Sequence, residues 1–370
     1  MFGHHFRKPA MLSQLRENWI SWRNATLSSS RFQRFAANFP FVRPIAARRA
    51  KALFDVVAGF VYSQILYACV RLDLLEKLRV RPRSVQELAD DCNMPLHSMQ
   101  ALLRGAASLN LSEELADGRF ALGSDGAALL GNPGIAELVL HHEALYSDLA
   151  DPVALLRRGG GGGLLAGYWP YDANDAESAA RYSALMAASQ PMLAEQIIRA
   201  YDFGRHQSLT DIGGGEGAFL EKVGHRWPDL PLSLFDLPAV AARARARLGS
   251  RAKVFDGSFI DDPIPVGADI FTLVRVLHDH DDDVVRKLLK KVHDALPRGG
   301  TLLVAEPMAE TQGARAMGHG YFGLYLLAMG SGRPRSAQEI SSFLKTAGFA
   351  SSRLIRTPTP ITCRVVVARK

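Results

Sequence analysis

Two side chains on this chain could form a general base and the acid that orients it. His278 follows the apolar run Val274-Arg275-Val276-Leu277, and Glu306 ends the run Thr301-Leu302-Leu303-Val304-Ala305. If both runs are neighbouring strands, the imidazole and the carboxylate meet at one end of a sheet. Histidine is the common general base near neutral pH. A carboxylate beside it fixes its tautomer and stabilises the imidazolium. The plainer readings are a histidine that caps the next helix or fills a polar hole, and a glutamate that caps or faces water. His278, Asp279, His280 and Asp281 also invite a metal reading. Adjacent residues on a strand point in alternate directions, and neither a cysteine pair nor a spaced second cluster supports it, so no metal is expected.

A second constellation lies upstream. Leu209 to Ile212 reads as a short buried strand, Gly213 to Gly217 as a tight turn, and Ala218 to Val223 as the start of a helix. Glycines there permit positive φ and let a ligand approach the main chain. About twenty residues on, Leu232-Ser233-Leu234-Phe235-Asp236 gives a second strand ending in an acid, the spacing of a nucleotide-binding βαβ unit with the acid placed for ribose hydroxyls. Gly213-x-Gly215-x-x-Ala218 also satisfies the dinucleotide pattern, which by itself is weak. Asp211 and Glu216 flank the glycines, and a pyrophosphate would meet both carboxylates. S-adenosylmethionine carries an amino group and a sulfonium instead of a phosphate, and acids suit it. A ligand-free strand-to-helix turn is the bland alternative.

These motifs need a sheet to hold them. Leu237 to Leu248 reads as a helix, Ala252 to Phe255 as a strand and Asp269 to Val276 as a strand. Asp282 to Leu296 is a helix, Thr301 to Glu306 a strand, and Ser336 to Ala347 a helix near a capping serine. Ser351 to Thr357 and Cys363 to Arg369 read as a closing hairpin, so the last strand enters antiparallel. Right-handed crossovers put a ligand at the carboxyl ends of the parallel strands.

Upstream, Ala52 to Leu78 reads as one long helix. Phe54, Val57, Phe60, Val61, Ile65 and Leu66 leave almost no polar face, which predicts burial, often between subunits. Ser84 and Glu87 form a capping box, Asn93-Met94-Pro95 a turn, Leu96 to Leu109 a helix and Leu111 to Leu122 a hairpin. Together they make a winged helix. A DNA-reading helix needs basic and amide side chains, and residues 96–109 offer Arg104 and Gln100 beside an acidic wing. The module is therefore expected to serve packing and dimerisation rather than nucleic acid. Gly159 to Gly163 reads as a flexible run before the aromatic cluster Tyr168-Trp169-Pro170-Tyr171, and Asn174 to Tyr201 as helical. Tyr321 to Met329 is an apolar segment expected to line a substrate tunnel, although core packing fits its composition equally.

The 370 residues are enough for two cores, and their 48% hydrophobic and 22% charged content is ordinary for a globular chain. No apolar run is expected to reach the roughly 18–20 residues that span a bilayer. Cys69, Cys92 and Cys363 lack metal or redox spacing, which fits a reducing cytoplasm. The net charge of +7 is localised: residues 1–51 hold ten Lys and Arg against Glu17 alone, and the rest is slightly acidic. Phe2, Phe6, Trp19, Trp22, Phe32, Phe35, Phe39 and Phe41 interleave with those charges. Such an arm suits an anionic membrane surface or a neighbouring subunit.

In this order, the winged helix, "LTDIGGGEGAF", "LFDLP", "VRVLHDHDD" and "LLVAEPM" resemble the S-adenosylmethionine-dependent O-methyltransferases that include plant phenolic and acetylserotonin enzymes. The resemblance covers residues 52–370. Within that family, the basic arm and "FDVVAGFVYSQILYACVRLDLLEKL" are most similar to the bacterial carotenoid enzymes, the hydroxyneurosporene or demethylspheroidene O-methyltransferases. The resemblance implies S-adenosyl-L-methionine as cofactor, with Asp211, Gly213, Gly215, Asp236, Ser258, Phe259 and Asp279 as its contacts. It implies His278 as base and Glu306 as the acid orienting it. Ser258 stands where an acid is common, His280 where Trp is common, and Pro334 where plant enzymes carry a second orienting acid. The implied fold is α/β: a Rossmann-like methyltransferase domain with a mostly parallel sheet and an antiparallel last strand, preceded by a helical winged-helix dimerisation domain. The expected parts are an arm over 1–51, the winged helix over 52–150, a connecting helical segment over 151–200 and the catalytic domain over 201–370. The expected partners are a hydrophobic small molecule and a second copy in a homodimer. The expected location is the cytoplasm, peripheral to the membrane through the arm.

Overall fold

The structure, a computed structural model, describes residues 8–167, 190–360 and 362–370. Contacts divide the chain into two compact units, one of residues up to Leu72 with Arg83–Ala121, the other of Asp73–Pro82 with Leu122–Lys370.

In the first unit, α1 (Lys8–Ser28), α2 (Ser30–Asn38) and α3 (Arg43–Arg71) precede the winged helix. The latter consists of α5 (Val85–Asp91), α6 (Leu96–Ser108) and the hairpin β1 (Ser112–Glu114) and β2 (Phe120–Leu122), while α4 (Leu74–Val80) belongs to the second unit. The capping box forms: the Glu87 N–H donates to Ser84 Oγ, and the Ser84 N–H donates to Glu87 Oε2 at 2.8 Å. Met99, Leu103 and Ala106 bury one face of α6.

The long helix differs from expectation. It starts earlier, with Pro44 in its first turn, where the missing N–H costs nothing. It stops before Asp73, whose φ of 57° is left-handed, so residues 52–78 are two helices and not one. It is also not buried within the chain: Phe54 is 62% and Phe60 71% exposed, and Cys69 alone is buried. By length and composition it could cross a membrane, since an 18-residue window reaches a mean hydropathy of 1.7. The sequence reading missed that window because Tyr62, Ser63, Gln64 and Tyr67 interrupt the strictly apolar run.

The second unit continues with α7 (Ser124–Leu130), α8 (Pro133–Asp148), α9 (Pro152–Arg157), α10 (Leu164–Gly167) and α11 (190–200). Then β3 (Leu209–Ile212), β4 (Leu232–Asp236), β5 (Ala252–Asp256), β6 (Ile270–Val274) and β7 (Thr301–Glu306) run parallel. The helices α12 (Ala218–Arg226), α13 (Pro238–Leu248), α14 (Asp282–Ala295), α15 (Phe322–Met329) and α16 (Ala337–Ala347) alternate with strands or follow them. The closing strands β8 (Ser351–Ile355) and β9 (Arg364–Arg369) are antiparallel, with β9 inserted beside β7. The order β5-β4-β3-β6-β7-β9-β8 reverses direction between β3 and β6, which opens the ligand crevice at their carboxyl ends. Alternate residues serve opposite faces. Leu302 and Val304 enter the core shared with α14 and α16, whereas Leu303 and Ala305 enter the core shared with α11 and α12.

Residues 159–163 are not a loose spacer. Gly159 to Gly162 all have positive φ, and a Cβ at Gly160 would lie 2.5 Å from the Leu327 carbonyl oxygen. The Gly161 N–H donates to that same carbonyl at 2.9 Å. The glycines let two backbones touch, which side chains would prevent. Residues 168–171 and most of the expected helix from 174 lie outside the described residues; its last part is α11.

Candidate active site

The end of β3 builds the first half of the site. Gly213 and Gly217 have φ of 66° and 83°, and a Cβ at either would meet Val276 or Leu248 at under 3 Å. Beneath the turn, Asp211 Oδ1 accepts from Thr272 Oγ1 at 2.5 Å. Its Oδ2 is buried and has no hydrogen-bond partner among the described residues. Burial pushes this carboxyl up to about 7, against the Thr272 bond. On the neighbouring strand, Asp236 closes over the turn: Oδ2 accepts the Gly215 N–H and Oδ1 the Leu237 N–H, each at 2.7 Å. Burial raises Asp236 as well, and those two donors oppose it. An orphaned acceptor below a cradle of bare backbone fits a ligand that brings N–H or O–H donors and positive charge.

Two sequence arguments about this cradle change, those for Glu216 and Ser258. Glu216 pairs with Arg243 at 3.0 Å, so its charge is balanced locally and says little about the ligand. Asp256 is taken by Arg245. The Ser258 hydroxyl is engaged by its own loop, donating to Asp261 at 3.1 Å and accepting from the Ile260 N–H. Phe259 does reach the turn: its Cε1 lies 3.6 Å from where a Gly213 Cβ would stand, and its ring packs edge-on against His280.

The second half hangs on the end of β6. Arg275 adopts a left-handed φ of 58° and donates its N–H to the Ala305 carbonyl at 2.8 Å. That kink ends the strand two residues before the expected Val276 and swings the chain into a short turn, Leu277–Asp279. Non-glycine residues held at positive φ gather at functional sites. The turn buries His278 to 4% exposure between two acids. Nδ1 lies 3.5 Å from Glu306 Oε2, and Nε2 lies 3.2 Å from Asp279 Oδ1. Glu306 is fully buried, and its Oε2 also accepts the His278 backbone N–H at 3.3 Å. Adjacent strands thus bring His278 and Glu306 together. Burial alone would lower the His278 pKa, but Asp279 and Glu306 outweigh it and the net direction is up. Burial raises Asp279, against the pull of His278 and Arg275. The His280 ring lies against Phe259 and burial takes it down to about 4, while Asp281 accepts the Gly332 N–H. The four residues from 278 to 281 do not converge on a metal.

Arg335 is the residue the sequence reading overlooked. It is fully buried, and its Nη1 donates to the Leu277 carbonyl at 2.6 Å. Its Nη2 donates to the His280 carbonyl at 2.7 Å and to Asp282 at 2.6 Å. Ser331 Oγ donates to the Asp279 carbonyl, and the Arg333 N–H to the His278 carbonyl. Every carbonyl from 277 to 280 is therefore held by segment 331–335. The signal in the sequence was Arg333-Pro334-Arg335, which flanks the very position where a missing acid drew attention.

Residues 146–350 match the O-methyltransferase domain family. A demethylspheroidene O-methyltransferase of Cereibacter sphaeroides is 44% identical over 350 residues, covering 92% of each chain. Another, from Rhodobacter capsulatus, is 42% identical over 92% of this chain and 88% of the relative. The crystal structure of human N-acetylserotonin methyltransferase in complex with SAM shares the fold, with a TM-score of 0.75 at 22% identity over 87% of this chain and 97% of that one. With a Rossmann-like sheet, a glycine cradle at its switch point and a matched domain over more than half its length, the chain belongs to the O-methyltransferase family.

Proposed function

We propose that this enzyme transfers a methyl group from S-adenosylmethionine to the hydroxyl of a 1-hydroxycarotenoid of the hydroxyneurosporene or demethylspheroidene type. The observation that carries the chemistry is His278, buried between Asp279 and Glu306 beside the ring of Phe322, at 6.2 Å between centroids. The acceptor class rests on the two carotenoid-modifying relatives. Bound S-adenosylmethionine supplies an activated methyl on a sulfonium. Gly213 and Gly215 give it backbone to lie on, Asp236 accepts from its ribose hydroxyls, and Asp211 Oδ2 takes a donor it otherwise lacks. Phe259 packs at the adenine side, Ser258 contributes its loop, and Asp279 faces the positive end. His278 removes the acceptor's proton, and Glu306 orients the ring and stabilises the imidazolium. A tertiary alcohol is a very weak acid, so proton removal accompanies methyl transfer. Alignment of the two reactants supplies the larger part of the acceleration.

The test is incubation with a labelled methyl donor and a panel of carotenoid, quinone, phenol and tetrapyrrole acceptors. Label on the hydroxycarotenoid is expected. Label on phenols or tetrapyrroles alone would move the acceptor class and keep the machinery.

The same reading assigns partners. The apolar, exposed α3 suits a second copy in a homodimer. The arm before it is basic and aromatic, with Trp19, Trp22 and Phe41 exposed, and suits the inner face of an anionic membrane from which a hydrophobic acceptor is drawn. Deleting residues 1–42 should lower binding to anionic vesicles and its salt sensitivity, while the protein stays dimeric and binds S-adenosylmethionine. Equal vesicle binding by both forms across salt would leave the arm a subunit-wrapping role only.

A further inference from the structure

Two histidines and two tyrosines beside the base have no part in the chemistry above. His141 and His142 are consecutive on α8; Tyr321 and Tyr325 lie on the π-turn that leads into α15 and on α15 itself. His141 Nε2 is 2.9 Å from the Tyr325 hydroxyl, and His142 Nε2 is 2.8 Å from the Tyr321 hydroxyl. The two tyrosine rings stack at 5.7 Å, and Phe322 meets Tyr321 edge-on at 5.0 Å. Phe322 also stands edge-on to His278. Three aromatic rings therefore form one wall next to the base. Tyr321 and Phe322 are only partly buried, so the wall has an open side.

We infer that the two His–Tyr pairs are specificity-determining: they engage the tyrosine hydroxyls, so the wall beside His278 offers an acceptor rings and no hydroxyl that is not already paired. The inference rests on the apolar acceptor proposed above and adds the residues that select it. A tyrosine near a substrate ordinarily offers a donor and an acceptor. Here each phenol is engaged by an imidazole from another helix. Burial lowers both histidines, His141 to about 4, and raises both tyrosines, so all four groups stay neutral near pH 7. An uncharged, internally satisfied wall costs an apolar polyene little desolvation. A phenol or catechol hydroxyl finds there only phenolic oxygens already paired to imidazoles, and a buried polar group left poorly paired is penalised.

The test is a double-variant cycle on His142 and Tyr321, read as acceptor KM, kcat, S-adenosylmethionine affinity and melting temperature. His142→Phe and Tyr321→Phe should each raise the KM for a 1-hydroxycarotenoid about tenfold, the order expected for one unpaired buried polar group. Neither should change S-adenosylmethionine affinity. The double variant, with both partners apolar, should return KM to within about threefold of wild type. A fall in melting temperature in the single variants with unchanged acceptor KM would reduce the pairs to helix packing and overturn the inference. If His142→Phe does not fold, Tyr325→Phe, which removes only a hydroxyl from the second pair, carries the same expectation. The functional reading fails separately: a wild type that methylates phenols and no polyene alcohol overturns it. The cycle is then run on the phenol, where the expected sign reverses and the single variants, having freed a polar group, lower its KM. An unchanged phenol KM overturns the wall as well.

Discussion

His278→Ala should lower turnover by about 10²–10⁴-fold, the usual contribution of a positioned general base, and leave S-adenosylmethionine affinity near wild type. The proposed base acts on the acceptor's proton, whereas the cradle proposed for the donor is built from β3 and β4. The pH dependence follows from the two flanking acids. They hold His278 above its ordinary value of 6.5 despite burial, and only the neutral imidazole accepts a proton. The kcat/KM for the methyl donor, which reports the free enzyme, should therefore fall as pH drops through a value above 6.5. Glu306→Gln removes a carboxylate that favours the imidazolium. It should move that acid limb to lower pH and reduce the plateau by less than His278→Ala does. Near-wild-type turnover in His278→Ala would mean that alignment alone drives the reaction. Joint loss of cofactor affinity and melting temperature would make the residue structural.

The parallel strands and the glycine turn were legible because their signals are local. A buried strand such as Leu209–Ile212 is a short apolar run bounded by breakers, and its bounds are the ones observed. The pairing of His278 with Glu306 also followed from sequence, since two such runs ending in polar residues become neighbours in a parallel sheet. What stayed hidden was side-chain partnership across long separations. Glu216 read as a bare acid because Arg243 sits a helix away, and Arg335 drew no reading because arginine is almost never fully buried unless paired. What covers α3 stayed open for another reason. Periodicity reports that a face is apolar, and says nothing of whether this chain or another body covers it.

Arg335→Met should cost about 2–5 kcal/mol of stability and at least tenfold in kcat. The side chain is fully buried and donates to two carbonyls of the turn that carries His278, as well as to Asp282. Without it, the Leu277 and His280 carbonyls lose charged donors in a place that water does not readily reach. The Arg333 and Ser331 bonds remain, so the turn should loosen rather than unfold. A base displaced by about 1 Å can lose 10²-fold in rate, which is why the effect belongs in kcat and not in donor binding. Arg335→Lys keeps the charge but cannot fork to both carbonyls, and should fall between wild type and Arg335→Met. The measurement is melting temperature together with kcat and S-adenosylmethionine affinity, with Asp282→Asn as the control. Asp282→Asn leaves the two carbonyl bonds in place, so it should shift stability with little change in kcat. If it lowers kcat as much as Arg335→Met does, the ion pair and not the carbonyl clamp holds the turn. If Arg335→Met melts earlier yet turns over at the wild-type rate, the segment 331–335 stabilises the fold without positioning His278.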